Sequence, residues 1–204
     1  MVAPSLVITP APRLLLALPS GPLALLSGWL ALLLRRLSDA VLTAVPVSGW
    51  AIALALLGIY AALVLPAGIR SGFLSSHSHP LAPGALLRLA AGLLLMPALG
   101  EELLFRVAVM PHPLERAGLV DLLGWGLLST GLFVLYHPLA GASWYPAGRE
   151  VFRDPRFLVP CTLLGIACAL AYGSSGSLWP AVLIHWVVVV LWLGVLGGRR
   201  HLEA

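Results

Sequence analysis

Long apolar runs separated by short polar or proline-rich stretches set the organisation of this chain. No charged residue lies between Arg13 and Arg35, between Asp39 and Arg70, between Asp121 and Arg149, or between Arg156 and Arg199. Each gap holds a helix of about 20 residues, enough to cross the hydrocarbon core, and the last gap holds two. The pattern predicts helices near residues 14–34, 47–65, 87–110, 119–137, 157–172 and 178–196. Turn-forming stretches separate them: residues 66–83 with Gly68, Gly72, Pro80 and Pro83, residues 111–118 and 138–155, and the Gly-Ser-Ser-Gly-Ser turn at 173–177. The expected fold is therefore all-α, a multi-pass transmembrane bundle of about six spans. Residues 1–85 are expected to form N-terminal transmembrane helices and a loop, and residues 86–198 the core that carries the chemistry. None of the turns reads as a domain linker.

Composition strengthens this picture. Of 204 residues 60% are hydrophobic and 10% charged, with a mean hydropathy of +0.99, whereas soluble domains carry about a quarter charged residues. The net charge of +4 comes with arginine as the only basic side chain besides histidine. In a soluble protein that balance would suggest nucleic acid. Here the arginines sit at segment ends, so the expected partner is membrane lipid and no nucleic acid. With six spans, Arg13, Arg70, Arg88, Arg149, Arg153, Arg156, Arg199 and Arg200 share a face with both termini, against Arg35, Arg36 and Arg116 on the other. The positive-inside rule then places both termini in the cytoplasm of a cell-membrane protein. The first apolar run ends at Arg35-Arg36 without a small-residue cleavage site and reads as a retained span. Cys161 and Cys168 lie two helical turns apart and read as small core residues. Gly165, Ala169 and Gly173 form a small-residue face that permits close helix approach.

Ionisable groups inside apolar spans are expensive, about 2.5–3.5 kcal/mol for Asp, Arg or Lys at a helix centre, so they are usually paired and functional. Three places stand out: Glu101, Glu102 and Arg106 in one span, His137 in the next, and His185 in the last. Glu102 and Arg106 are four apart and face each other on a helix, whereas Glu101 is rotated by about 100° and free to point elsewhere. The bland alternative is a salt-bridged helix end at the headgroup boundary. Depth supplies a test. At about 1.5 Å per residue, Glu101 lies roughly 14 Å from the Met110 end of its helix, His137 roughly 27 Å from Leu119, and His185 roughly 10 Å from Leu178. A spread of about 17 Å is too large for one site, so at least one boundary must differ, and a later start to the fourth helix would close most of the gap.

The string Glu101-Glu102-x-x-x-Arg106 with Phe105 before the arginine, then Phe133-x-x-x-His137, then His185, resembles the CAAX prenyl protease and bacteriocin-processing family (CPBP or Abi) of intramembrane proteases. Gly176-Ser177-Leu178-Trp179-Pro180 also looks like that family's approach to its third motif. The resemblance implies an intramembrane endopeptidase acting on peptide or protein substrates, prenylated or membrane-embedded. By position, Glu101 would activate water, His137 would hold that water or share its proton, Glu102 and Arg106 would be the supporting pair, and His185 would help stabilise the oxyanion. One position departs: the family's Asn or Asp four residues after the last histidine is Val189 here. The indole N–H of Trp192 is the expected substitute donor. No cofactor is favoured. Glu101, His137 and His185 would also suit zinc with one open position, but the chain lacks the compact His-Glu-x-x-His spacing, which favours a metal-free glutamate mechanism.

Three other classes compete. A non-catalytic scaffold or bacteriocin-immunity protein of the same fold would explain Val189. A proton-coupled transporter would use Glu and His as a relay, but no internal repeat is visible. A rhomboid-like serine protease would need Ser174 or Ser175 against His185, and the serines read more simply as a capping turn. His77 and His79 are weak metal candidates, and His112 and His201 are expected to be solvated.

Overall fold

The computed structural model describes residues 21–75 and 81–202. Arg13, His77, His79 and the expected start of the first helix at residue 14 lie outside the described residues. The fold is all-α with six principal helices: α1 Pro22–Leu42, α2 Val47–Arg70, α3 Pro83–Val107, α4 Leu119–Ala142, α5 Pro155–Ser175 and α6 Leu178–Gly194. Helices α2 to α5 are each long and apolar enough to cross a membrane, and α6 is a shorter apolar helix. Helix α1 carries Arg35, Arg36 and Asp39 in its second half. The protein is an integral membrane protein with several spans.

The helix ends show which residues stop a helix in an apolar setting. Pro66 and Pro138, expected to end their helices, lie inside α2 and α4. Each removes one backbone donor, a loss that a packed membrane helix absorbs. Helix α2 stops instead at Gly72, whose φ of 68° is left-handed, and the Leu74 N–H folds back onto the Gly68 carbonyl at 2.9 Å. Any side chain at Gly68 would collide with Leu74. Helix α5 opens on Asp154, which accepts from the Arg156 N–H at 2.8 Å with Pro155 in the first turn. It closes on Gly176, left-handed at φ 66°, whose N–H donates to the Tyr172 carbonyl at 2.8 Å.

The first helix runs through Arg35 and Arg36 to Leu42 instead of stopping at residue 34. Arginine is a good helix former, and Arg36 is buried against the segment that follows α3. Its guanidinium holds Glu115 through two bonds of 2.7 and 2.8 Å and reaches the Ala108 carbonyl at 3.3 Å. His112 is likewise buried, not solvated: its Nε2 meets the Gly176 carbonyl at 2.6 Å and its Nδ1 accepts from the Leu114 N–H. His201 is half-buried and stacks on Phe73 with centroids 4.6 Å apart.

Helix α5 sits at the centre, packed on α2, α4 and α6. Gly165 lets α4 approach so closely that a methyl there would lie 2.9 Å from Thr130 and 3.2 Å from Phe133. Ala169 continues this buried face, whereas Gly173 meets nothing within 4 Å and takes no part in it. Helix α3 is broken at Met96 (φ −140°, ψ 122°), the residue before Pro97. A residue preceding proline is pushed out of helical geometry, so the Glu101-Glu102 turn is re-aimed relative to Pro83–Leu93.

The Arg36–Glu115 pair yields a stability prediction. The bonds from Arg36 hold the Glu115 carboxyl below the usual carboxylate range. The stabilisation is thus present above that ordinary range and is lost as pH falls through the depressed native value. Arg36→Gln is expected to destabilise the detergent-solubilised protein by about 1.5–3 kcal/mol at neutral pH. The difference from wild type should shrink in thermal melts carried into acid.

Candidate functional site

Arg106 is fully buried within a membrane helix, and its partners explain how. Its Nε lies 3.0 Å from Glu102 Oε2, one turn earlier on α3. Its Nη1 donates to Ser129 Oγ of α4 at 2.6 Å, and that hydroxyl donates to the Phe105 carbonyl at 2.7 Å. The guanidinium also lies over the Phe133 ring, 5.2 Å from its centroid. The other oxygen of Glu102 accepts from His185 Nδ1 of α6 at 2.8 Å. Glu102, Arg106 and His185 thus tie α3, α4 and α6 together in a sealed network.

Glu101 faces a different environment. Together with His137 and His185 it lines a cavity of about 500 Å³ whose other walls are apolar and aromatic, among them Tyr60, Tyr136, Phe152 and Phe157. Glu102 and Arg106 do not reach it. Glu101 Oε2 lies 3.7 Å from His185 Nε2 and has no hydrogen-bond partner among the described residues. His137 Nδ1 donates to the Phe133 carbonyl at 2.8 Å and sits 3.6 Å from Cys161 Sγ. A neutral ring donating from Nδ1 keeps its lone pair on Nε2. Phe133 sets both histidines, packing edge-to-face on His137 and His185 with centroids 4.9 and 5.6 Å away.

The five residues expected from the sequence fall into two adjoining sets that share His185, the Glu102–Arg106 network and the cavity wall with Glu101 and His137, and the depth conflict closes in an unforeseen way. Helix α4 starts at Leu119 as expected, yet Ser129 is the residue level with Phe105 and Arg106. The first turns of α4, with exposed Leu119 and Val120, run past the end of α3. Counting both helices from one plane overstated the depth of His137. Ser129, Phe133 and Cys161 belong to the site's frame; only Phe133 had a signal, its place four residues before His137.

Trp192 does not sit beside His185. It lies two turns further along α6, its ring in a cluster with Phe73 and Phe157 and its Nε1 packed against Gly198. Val189 lines the cavity wall between them. Ser174 and Ser175 both donate to the Ala171 carbonyl at the end of α5, and His185 is bonded to Glu102 and not to either serine.

Two trios could be asked to hold a metal. The ligand atoms of Glu102, Cys168 and His185 lie within 4.8 Å of one another, but the Arg106 cation is already paired with Glu102. Glu101, His137 and His185 form no such convergent group, whereas zinc bonds of about 2.0–2.2 Å need closely gathered ligands. Neither trio fits a zinc centre in this geometry.

The buried pair predicts an asymmetric response. Arg106→Met leaves Glu102 uncompensated and is expected to destabilise the protein by about 3–5 kcal/mol. Adding Glu102→Gln should recover part of that loss, which melting of both variants in detergent would measure.

Comparison with known proteins adds one match. A family model described as type II CAAX prenyl endopeptidase, Rce1-like, matches residues 83–191, just over half the chain, spanning α3 to most of α6. No curated protein and no solved structure matches the chain.

Proposed function

Because the chain belongs to the Rce1-like type II CAAX prenyl endopeptidase family, we propose that it is an intramembrane endopeptidase in which Glu101 activates water for peptide-bond hydrolysis. The observation that carries this reading is the separation of the two adjacent glutamates: Glu102 is bound to Arg106 and His185, while Glu101 Oε2 is unpartnered at the cavity wall. Water held between Glu101 and His137 Nε2 gives a proton to Glu101 as its oxygen attacks the scissile carbonyl. His185, whose Nδ1–H donates to Glu102, acts on the developing oxyanion as the imidazolium, the form in which Nε2 also carries a proton and which the Glu102 carboxylate supports. Glu101 then passes the proton to the departing amine, so its charge is restored with each turnover.

The aromatic cavity suits an apolar group beside the scissile bond, and we assign it to prenylated or membrane-embedded peptide chains. The protein then resides in the cell membrane with both termini and the arginine-rich end of the bundle in the cytoplasm. Residues 86–198 carry the chemistry, while α2 closes the cavity with Tyr60. The second reading, a non-catalytic scaffold or immunity protein of the same fold, rests on Val189.

A fluorogenic-peptide assay on purified protein, with a farnesylated CAAX peptide in the panel, tests the choice. Glu101→Gln and His137→Ala are each expected to lower kcat by at least about 100-fold with folding intact, and chelator is expected to leave wild type unchanged. A well-folded wild type that cuts nothing in the panel favours the scaffold. Val189→Asn, which adds a donor one turn beyond His185, is expected to raise kcat with little change in KM, by up to about 100-fold.

A further inference from the structure

Tyr136 precedes His137 in sequence and lines the cavity together with Glu101, His137 and His185. Its ring is held on several sides. Phe105 and His137 each meet it edge-on with centroids 5.5 Å away, and Trp144 lies tilted against it at 5.7 Å. The packing of α4 on α3 sets the height of its hydroxyl. Ser129 donates to the Phe105 carbonyl, and the short connection at 108–118 makes the two helices antiparallel. Tyr136 lies seven residues after Ser129, about 10 Å further along α4, and so its backbone is level with the residues just before Glu101. A helical side chain leans back towards its own N-terminus, which carries the phenol to the level of Glu101. Phe105, one turn after Glu101 on α3, meets the ring at the same level, and the hydroxyl lies within the field of the Glu101 carboxylate.

The phenol proton is uncommitted. The Trp144 indole N–H donates to the Tyr136 oxygen, and an indole offers no acceptor in return. Glu101 Oε2 is without a partner, and no other acceptor among the described residues takes the proton. The other two phenols on the cavity wall are placed differently: Tyr60 of α2 lies near Cys161 and Cys168, and Tyr145 stacks on Phe152 with centroids 5.8 Å apart. Donors beside Glu101 are otherwise few. His137 spends its Nδ1–H on the Phe133 carbonyl, and Val189, one turn past His185, has no donor in its side chain.

We propose that Tyr136 is a further catalytic residue, its phenol O–H donating from α4 to the scissile carbonyl oxygen that His185 meets from α6; the proposal rests on the protease reading above. The hydroxyl keeps its proton throughout. Its bond to the carbonyl oxygen strengthens as negative charge gathers there in the tetrahedral intermediate and relaxes when the carbonyl re-forms, so no proton or electron changes hands at Tyr136. The clamp of Phe105, His137 and Trp144 holds the ring in place before substrate arrives, and a donor fixed in advance costs no reorganisation at the moment of reaction. Because its bond is strongest in the transition state, its loss falls on kcat and not on KM.

Tyr136→Phe removes the hydroxyl and keeps the ring. In the cleavage assay with the farnesylated fluorogenic peptide, this variant is expected to lower kcat about 100-fold with KM within about twofold of wild type. Replacing Tyr136 by 3-fluorotyrosine, a more acidic phenol of nearly the same shape, is expected to raise kcat about two- to threefold, a response that a packing role would not give. An unchanged kcat in folded Tyr136→Phe, a loss confined to KM, or a kcat that 3-fluorotyrosine leaves unmoved or lowers would overturn the proposal. Each of those outcomes is read against cleavage by wild type that is lost in Glu101→Gln, and so leaves the protease reading standing. Wild type that cleaves no peptide removes both.

Discussion

Burying Arg106 in an apolar helix is the constraint from which the rest of the site follows. A guanidinium at that depth needs a counter-ion and hydrogen-bond acceptors within the protein. Glu102 supplies the first from the same helix, and Ser129 of α4 and the face of Phe133 take up further parts of the cation. Glu102 has a second oxygen to satisfy and takes it to His185 on α6. Three helices are therefore held by charge, and two carboxylates adjacent in sequence acquire different fates. One is spent on structure and the other faces the cavity.

That division depends on backbone geometry as much as on charge. Met96 interrupts α3 ahead of Pro97, so the turn carrying Glu101 need not continue the direction set by Pro83–Leu93. Gly165 brings α5 against Phe133, and Phe133 in turn contacts Arg106, His137 and His185. A larger residue at 165 would push that ring and move both histidines together. The site's precision thus rests on a glycine and a phenylalanine that hold the reacting groups without doing chemistry themselves.

Much of this was legible in the sequence because charge in a bilayer is expensive enough to be diagnostic. The four-residue spacing of Glu102 and Arg106 gave their pairing, and the rotation of Glu101 gave its independence. The six helices followed from the apolar runs. Less legible was anything set by tertiary contact. Pro66 and Pro138 look like helix ends in one dimension, and only packed neighbours make them tolerable. His112 looked solvated between two prolines, but the turn it occupies folds under Gly176. The overshoot of α4 past α3 has no local signature, since it is fixed by Ser129 meeting Phe105. The place of Trp192 was missed because a shared helix face says nothing of two turns of separation along the axis.

The cavity wall along α6 shows how binding and catalysis separate in this protein. From His185 onward the residues of α6 that line the cavity are Val188, Val189, Leu191, Trp192 and Leu193, an apolar path that favours an apolar chain in ground state and transition state alike. Such uniform binding lowers KM without accelerating the chemical step. Charge development at the scissile carbonyl needs donors, and on this helix the one beside Glu101 is His185, because the Trp192 N–H lies two turns further along, close to Gly198. The Glu102 bond to Nδ1 then matters beyond structure. It holds the Nδ1 proton on Glu102, leaves Nε2 towards the cavity, and stabilises the cationic ring, the form in which Nε2 carries a proton to donate. The buried ion pair that holds the fold is in this way also what orients the remaining donor.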